Sequence, residues 1–183
     1  MGISFAEPER LTLIFDGENR QEWQNTSYII DQLKLRSSDV VADIGAGTGY
    51  FTHQFAHILS QGKVYAIDCE PNMITFMRER FRQTDLNNIG FVLSKPGDPT
   101  IPCGCTVVFL ANAYRFISDR KAFLMKIMQQ TDTNTRYYIV DFKGENARVS
   151  PKLAREEVES AGFKIINYDD TGCPDHYILS FSR

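Results

Sequence analysis

The sequence predicts an α/β fold built on a mostly parallel sheet that carries helices on its faces. Three observations favour it: short β-rich runs alternate with longer helical stretches, the first run is almost continuously apolar, and glycines cluster directly after it. Such alternation is typical of strands joined by crossover helices, and a continuously apolar run indicates a strand buried on both faces. The 183 residues suit a single domain, which we divide into an N-terminal helical cap over 1–36 and a core over 37–183.

An initial helix and two strand–helix units are predicted in the first half of the chain. Trp23, Ile30 and Leu33 have a spacing that places them on one helical face. Pro71 suits a first helical turn, because its missing N–H needs no partner there. The predicted elements, in order, are a helix over 21–35, a strand over 39–44, a helix over 50–59, a strand over 63–68 and a helix from Pro71.

Three more strands, two helices and a terminal hairpin are predicted in the second half. Ser150 is a favourable N-cap for a helix that starts at Pro151, and Gly162 ends that helix. The segment between the last two β-rich runs is too short for a crossover helix, so we expect these runs to pair antiparallel. The predicted elements are strands over 91–93, 106–110 and 136–142, helices over 119–130 and from Pro151, and final strands over 163–167 and 176–181.

The segment 43–50, Asp-Ile-Gly-Ala-Gly-Thr-Gly-Tyr, is the most informative part of the chain. It follows a buried strand and opens a helix, at the sheet edge where open α/β folds bind ligands. A dinucleotide fingerprint has the spacing G-x-G-x-x-G, whereas this chain has G-x-G-x-G with Tyr50 in the place of the last glycine. Asp43 would repel a pyrophosphate and attract a cationic amino-acid head group. The turn therefore favours S-adenosylmethionine over a dinucleotide.

A second acidic residue, Asp68, ends the next predicted strand. A carboxylate at this place accepts hydrogen bonds from both hydroxyls of an adenosine ribose. Asp68 therefore supports an adenosine-containing cofactor but does not distinguish S-adenosylmethionine from a dinucleotide. An NAD-dependent oxidoreductase stays an alternative.

The run from Val41 to Asp68 resembles motif I and the following acidic strand of class I S-adenosylmethionine-dependent methyltransferases. The chain from Arg20 onward is similar to bacterial members of the quinone-biosynthesis type. The resemblance implies a Rossmann-like, doubly wound, seven-stranded sheet with an antiparallel last strand beside the fifth, and a methyltransferase that acts by in-line displacement. The cofactor-binding residues that it implies are Asp43, Gly45, Ala46, Gly47, Gly49, Asp68, Cys69, Met73, Asp98 and Asn112.

The resemblance also implies how these residues are distributed along the cofactor. The glycine turn would line the methionine and sugar, and Asp68 would hold the ribose. Cys69 or Met73 would pack near adenine, and Asp98 would lie near the adenine amino group. Asn112, just past the fourth strand, would lie near the methionine.

One departure from the family concerns the segment after the fourth strand. Relatives commonly carry Tyr-His-His or a similar His there, in the acceptor pocket, whereas this chain has Tyr-Arg-Phe from Tyr114 onward. The departure motivates a second hypothesis, a module that binds S-adenosylmethionine or S-adenosylhomocysteine without turnover. For an active enzyme, the candidate catalytic residues are Tyr114 and Asp141 as bases and Arg115 as a clamp for an anionic acceptor. Trp23 and Tyr28 of the first helix are candidates for a lid over the cofactor.

Composition and charge disfavour several other classes of function. The net charge is −3 and the pI is about 5.6, whereas a nucleic-acid-binding domain usually has a basic excess. No apolar run approaches the roughly 18 residues of a membrane span. No metal site is expected, because the pair of His53 and His57 and the pair of Cys103 and Cys105 lack further ligands at a suitable spacing. We expect a cytoplasmic enzyme with a small-molecule acceptor, no nucleic-acid partner and no membrane span.

Overall fold

The computed structural model describes residues 7–17 and 19–183. Its centre is one seven-stranded sheet with the strand order β3-β2-β1-β4-β5-β7-β6. The strands are β1 (Val40–Ile44), β2 (Lys63–Asp68), β3 (Ile89–Leu93), β4 (Val107–Ala111), β5 (Arg136–Phe142), β6 (Lys164–Asp169) and β7 (His176–Ser182).

The predicted pairing of the strands is confirmed. Strands β3, β2, β1, β4 and β5 are parallel neighbours. Strand β7 lies between β5 and β6 and is antiparallel to both. The short connection before it requires this arrangement for β6 and β7. The strand order changes direction between β1 and β4, so the crevice for a ligand lies at the carboxyl ends of these two strands.

The described residues form seven α-helices, of which five pack on the two faces of the sheet. The first face carries α3 to α5, through Ile29, Phe55 and Met77 among others. The opposite face carries α6 and α7, through Leu124 and Val158. The helices are α1 (Pro8–Phe15), α2 (Arg20–Gln24), α3 (Thr26–Leu33), α4 (Tyr50–Ile58), α5 (Pro71–Arg82), α6 (Arg120–Gln130) and α7 (Pro151–Ser160).

The helix predicted over 21–35 is two helices, and that prediction is wrong. Asn25 separates α2 from α3 in a left-handed conformation with φ 53°, which asparagine tolerates better than most residues. Its side-chain nitrogen donates to the backbone oxygen of Gly172 at 2.8 Å. The break therefore depends on a contact with the loop before β7, and helical periodicity carries no trace of such a contact.

Strand β3 starts two residues earlier than predicted. Gly90 disfavours a strand when the local sequence is considered alone. In the structure, a Cβ at Gly90 would lie 2.5 Å from Cδ1 of Tyr65 on the neighbouring strand β2. Glycine fits this position of the strand because the Tyr65 ring fills the space that a Cβ would need.

None of the helices in the described residues is long and apolar enough to span a membrane. Within the same part of the chain, no three His, Cys, Asp or Glu side chains are grouped closely enough to hold a metal ion. His53 and His57 face each other with their Nε2 atoms 3.3 Å apart. Cys103 and Cys105 are free thiols, the first exposed and the second buried.

Candidate functional site

A cavity of about 320 Å³ opens at the carboxyl ends of β1, β2 and β4. This volume is at the lower end of the range for small-molecule sites. The wall contributed by the glycine turn and the ends of β1 and β2 is formed by Asp43, Ile44, Gly45, Ala46, Gly47, Thr48, Asp68, Cys69 and Glu70. Apolar residues of the later loops and of α6, among them Pro96, Pro99, Ile117 and Phe123, complete the cavity.

The glycine turn brings bare backbone to the cavity. Gly45, Gly47 and Gly49 all have positive φ, at 71°, 59° and 86°. At Gly45 an added Cβ would lie 2.5 Å from Cβ of Ala113, so that position is closed to any other residue for steric as well as conformational reasons. A flat ligand can therefore approach the backbone at this turn.

Asp43 is the buried carboxylate of the site. It lies in β1, one residue before the strand ends, with 2% of its surface exposed. It still borders the cavity. The hydroxyl of Thr52 donates to its Oδ2 at 2.6 Å. Burial raises the pKa of the Asp43 carboxyl to about 7, and the Thr52 hydrogen bond opposes that shift. A cation that enters the cavity would stabilise the ionised form.

Asp68 holds the end of β2 against the glycine turn. Its Oδ2 accepts the backbone N–H of Gly47 at 2.9 Å, and its Oδ1 accepts the backbone N–H of Glu70 at 2.9 Å. Burial raises the pKa of Asp68, and these backbone hydrogen bonds lower it. Each carboxylate oxygen has a second lone pair, so Asp68 can accept hydroxyl donors from a ligand without releasing the turn.

Among its described residues, the N-terminal cap supplies Phe15 from the end of α1 and Arg20 from the start of α2 to the cavity. Asp16, directly after α1, accepts the Thr48 hydroxyl at 2.9 Å and forms an ion pair with Arg80 of α5. The cap is therefore fastened to the glycine turn.

Asn112 belongs to a polar network at the end of β4. Its Oδ1 accepts Nη1 of Arg115 at 3.1 Å and faces Nε2 of His176 at 2.7 Å. Arginine only donates, so the atom between them is the amide oxygen and Nε2 of His176 carries the proton. Burial, and then the charge of Arg115, lowers the pKa of His176 to about 3, so this histidine is neutral. Arg115 itself is paired with Asp141.

The cavity brings together only part of the predicted cofactor set. It is bordered by Asp43, Gly45, Ala46, Gly47, Asp68, Cys69 and Asn112. Gly49, Met73 and Asp98 are not among the described residues that line it. Met73 is 1% exposed in the core, and Oδ1 of Asp98 accepts the Gln130 side chain at 2.9 Å.

The three predicted catalytic residues do not border the cavity in the described part of the chain. The Tyr114 hydroxyl donates to Oε2 of Glu157 at 2.8 Å, and burial followed by this hydrogen bond raises the pKa of Tyr114. Asp141 is 1% exposed and accepts the backbone N–H of Phe142 at 2.9 Å. Its pairing with Arg115 leaves neither charge free.

The two lid candidates pack against the end of the sheet. The rings of Trp23 and His176 are 5.6 Å apart, and the Tyr28 hydroxyl donates to Oδ2 of Asp169 at 2.6 Å. Neither aromatic residue is among the described residues lining the cavity, where Arg20 from the same segment is found instead. Sequence reasoning missed Arg20. The only available signal was an arginine one residue ahead of the predicted helix.

Comparison with known proteins assigns the family. The family model described as "Methyltransferase domain" matches residues 35–180. The chain belongs to this family, and its fold is that of class I S-adenosylmethionine-dependent methyltransferases. The family is one of methyltransferases, so the match does not support the alternative of an NAD-dependent oxidoreductase. The prediction of S-adenosylmethionine as the family's cofactor is confirmed.

Curated relatives match over part of their length. A protein-L-isoaspartate O-methyltransferase of Ignicoccus hospitalis is 29% identical over 89 residues, which is 46% of this chain and 42% of the relative. A probable ribosomal RNA small subunit methyltransferase A of Methanococcoides burtonii is 35% identical over 57 residues, which is 31% of this chain and 20% of the relative. The chain spans less than half the length of the curated relatives it matches.

Solved structures share the fold over nearly the whole chain. An S-adenosylmethionine-dependent methyltransferase from Aquifex aeolicus superposes with a TM-score of 0.83 at 19% identity, covering 98% of both chains. The [4+2]-cyclase SpnF superposes with a TM-score of 0.75 at 13% identity, covering 86% of this chain and 79% of that one. At such identities the likeness shows the fold.

Proposed function

We propose that this chain transfers a methyl group from S-adenosylmethionine to a small-molecule acceptor. The observation that carries the proposal is the cavity in which Asp43 and Asp68 face the bare backbone of the glycine turn. When bound, the cofactor supplies a methyl group made electrophilic by its sulfonium. Family membership supports the reaction class.

The residues of the site fit an adenosyl amino acid. The ammonium would interact with Asp43, whose buried carboxyl is stabilised as an anion by a nearby cation. The ribose hydroxyls would donate to Asp68, and Cys69 would lie beside the base. The amide nitrogen of Asn112 would face the cofactor, since the amide oxygen already accepts from Arg115 and His176.

Positioning and exclusion of water would be the main contributions of the chain to the transfer. Displacement at a methyl carbon gains most from holding the reacting atoms at near-attack distance in a closed site. Asp141 is paired with Arg115 and is not among the described residues that line the cavity, so its position does not suit a general base. We therefore favour an acceptor atom that carries a free lone pair near neutral pH, such as an aromatic amine or a thiolate.

The curated relatives differ in the class of methyl acceptor that their names give. Two curated relatives are named as RNA methyltransferases and one as a protein methyltransferase. The net charge of −3 supports a small molecule over an RNA. The apolar side of the cavity, with Pro99 and Phe123, supports an acceptor with an apolar body.

A second candidate function is cofactor binding without transfer. The ion pair between Arg115 and Asp141 supports it, because Arg115 lies in the segment where relatives commonly have a histidine. The fold also occurs in a protein named as a [4+2]-cyclase.

Titration calorimetry with S-adenosylhomocysteine, followed by transfer assays with methyl-labelled S-adenosylmethionine, tests both candidates. The acceptor panel should contain small amines, thiols, phenols and carboxylic acids, with total RNA in a parallel reaction. We expect binding and labelling of a small molecule. Labelling of RNA alone would overturn the acceptor class, binding without any transfer would favour the second candidate, and no binding would reject both.

A further inference from the structure

Arg20 is a buried arginine that reaches the cavity wall from the N-terminal cap. Its residue surface is 6% exposed, and it borders the cavity together with Asp43. Buried arginines are rare unless they are paired. Among the described residues, no ion pair within 4.0 Å involves Arg20.

The guanidinium group is held rigidly in place. Its carbon atom lies 3.9 Å from the centre of the Tyr50 ring and 5.1 Å from that of Phe51. Its Nε donates to Oε1 of Gln24 at 2.6 Å, and its Nη1 donates to the backbone oxygen of Phe15. A planar cation fixed by ring stacking and two hydrogen bonds loses little further entropy when it binds an anion.

One nitrogen of the group, Nη2, makes no hydrogen bond with the described residues. Nη2 is not among the fully buried side-chain atoms without a partner in the described residues, which are Nε2 of Gln24, Nδ1 of His176 and the hydroxyl oxygen of Tyr177. Because Arg20 lines the cavity, its guanidinium group can donate to an anionic ligand bound there.

Arg20 and Asp43 place opposite charges on one wall without neutralising each other. Each charge favours the ionised state of the other, since Asp43 raises the pKa of Arg20 and Arg20 lowers that of Asp43. Burial is the largest influence on both, and it brings the pKa of Arg20 down to about 10, so the side chain is cationic at neutral pH. A zwitterion with a carboxylate and an ammonium on one carbon would satisfy both buried charges at once.

We propose that Arg20 binds the carboxylate of the α-amino acid head group of the cofactor while Asp43 binds its ammonium. This assignment rests on the proposed function. It makes the N-terminal cap a selective part of the site: the chain recognises an amino-acid nucleoside and discriminates against nucleosides that lack the carboxylate.

Two ligands that differ only by the carboxylate test the assignment. They are S-adenosylhomocysteine and its decarboxylated analogue, 5′-deoxy-5′-(3-aminopropylthio)adenosine. By calorimetry, the wild-type chain should bind the first about 10- to 100-fold more tightly, the range for a charge-assisted hydrogen bond. In Arg20→Met this preference should disappear, with the affinity for the decarboxylated analogue unchanged. Arg78→Met is the charge-matched control, because Arg78 is exposed on α5, and it should keep the full preference.

The outcomes separate this assignment from the proposed function. Failure of the wild-type chain to bind S-adenosylhomocysteine would reject the proposed function and the subsite with it. Tight binding of both ligands by the wild-type chain with equal affinity would overturn the subsite alone, and so would an equal loss for both ligands in Arg20→Met. If Arg20→Met does not fold, Arg20→Lys provides the second test, because it keeps the charge and loses the planar fork. It should weaken S-adenosylhomocysteine several-fold and leave the decarboxylated analogue unchanged.

Discussion

Oδ2 of Asp68 accepts the backbone N–H of Gly47 at 2.9 Å, which joins the end of β2 to the glycine turn after β1. Asp68 and Asp43, which both line the cavity, therefore have different surroundings. Asp68 is held by backbone donors at the cavity edge, whereas Asp43 lies inside the sheet with one hydroxyl donor.

Asp68→Ala should weaken nucleoside binding by about 1–3 kcal/mol, because charge-assisted hydrogen bonds to the ribose are lost. The loss should be equal for S-adenosylhomocysteine and for 5′-deoxy-5′-methylthioadenosine, which lacks the amino acid, since Asp68 contacts the part that both share. Calorimetry with both ligands measures it, and thermal unfolding checks that the fold is kept. An unchanged affinity would show that the ribose lies elsewhere.

Asp43 should make cofactor binding depend on pH. The carboxyl of the free protein has a pKa near 7 because of burial, and a bound ammonium favours the ionised form, so the pKa is lower in the complex. The affinity for S-adenosylhomocysteine should therefore fall as the pH drops below about 7, by up to tenfold per unit. Calorimetry between about pH 5.5 and 8.5 measures the profile. Asp43→Asn should flatten it, and a profile that keeps its slope in this variant would assign the titration to another group.

Asp43→Asn should also stabilise the ligand-free chain. A carboxyl whose pKa is raised from 3.8 to about 7 on folding destabilises the native state as the pH rises from about 4 to 7. The amide oxygen of asparagine can still accept the Thr52 hydroxyl. Chemical unfolding at about pH 8 should show a gain for the variant that vanishes near pH 4. A loss of stability at pH 8 would mean that the carboxylate has a favourable partner in the free protein.

Arg115→Met should destabilise the fold by about 3–5 kcal/mol, because it leaves the buried Asp141 carboxylate without its cation. Arg82→Met is a matched control, since Arg82 and Glu79 form an exposed pair and such pairs contribute about 0–1 kcal/mol. Urea unfolding measures both. If Arg115→Met instead keeps its stability and raises the KM of an anionic acceptor, Arg115 is the clamp suggested by the sequence.

Tyr114→Phe tests whether this hydroxyl takes part in the transfer. Because it donates to Glu157 inside the core, we expect a stability loss of about 1 kcal/mol and an unchanged rate of methyl transfer. Thermal unfolding and kcat are the measurements. A fall in kcat without a change in KM or stability would restore Tyr114 as a catalytic residue.

Much of the fold was predictable, since it depends on local patterns. Continuous apolar runs marked the buried strands, and the short connection before β7 required an antiparallel pair. The glycine turn was readable for the same reason: positive φ at Gly45 and a close neighbour exclude other residues whatever the rest of the chain does.

The polar side of the site was less predictable, because it depends on pairing across the fold. Asp141 and Arg115 are 26 positions apart, and their mutual ion pair occupies two groups that the sequence presents as available. Asn112 and His176 are 64 positions apart and meet only because β7 inserts beside β5.

By itself, the sequence determined the order of the strands along the chain, the acidic glycine turn and therefore the chemical character of the ligand, because conformational and steric limits act within a few residues. Only the tertiary structure decided which charges face the cavity and which neutralise each other. Burial and pairing set the energy of a charge, and both are fixed by contacts between segments that the linear order leaves far apart. Arg20 is the clearest case: its neighbours on the chain are those of a surface helix, and the folded cap places it against the site.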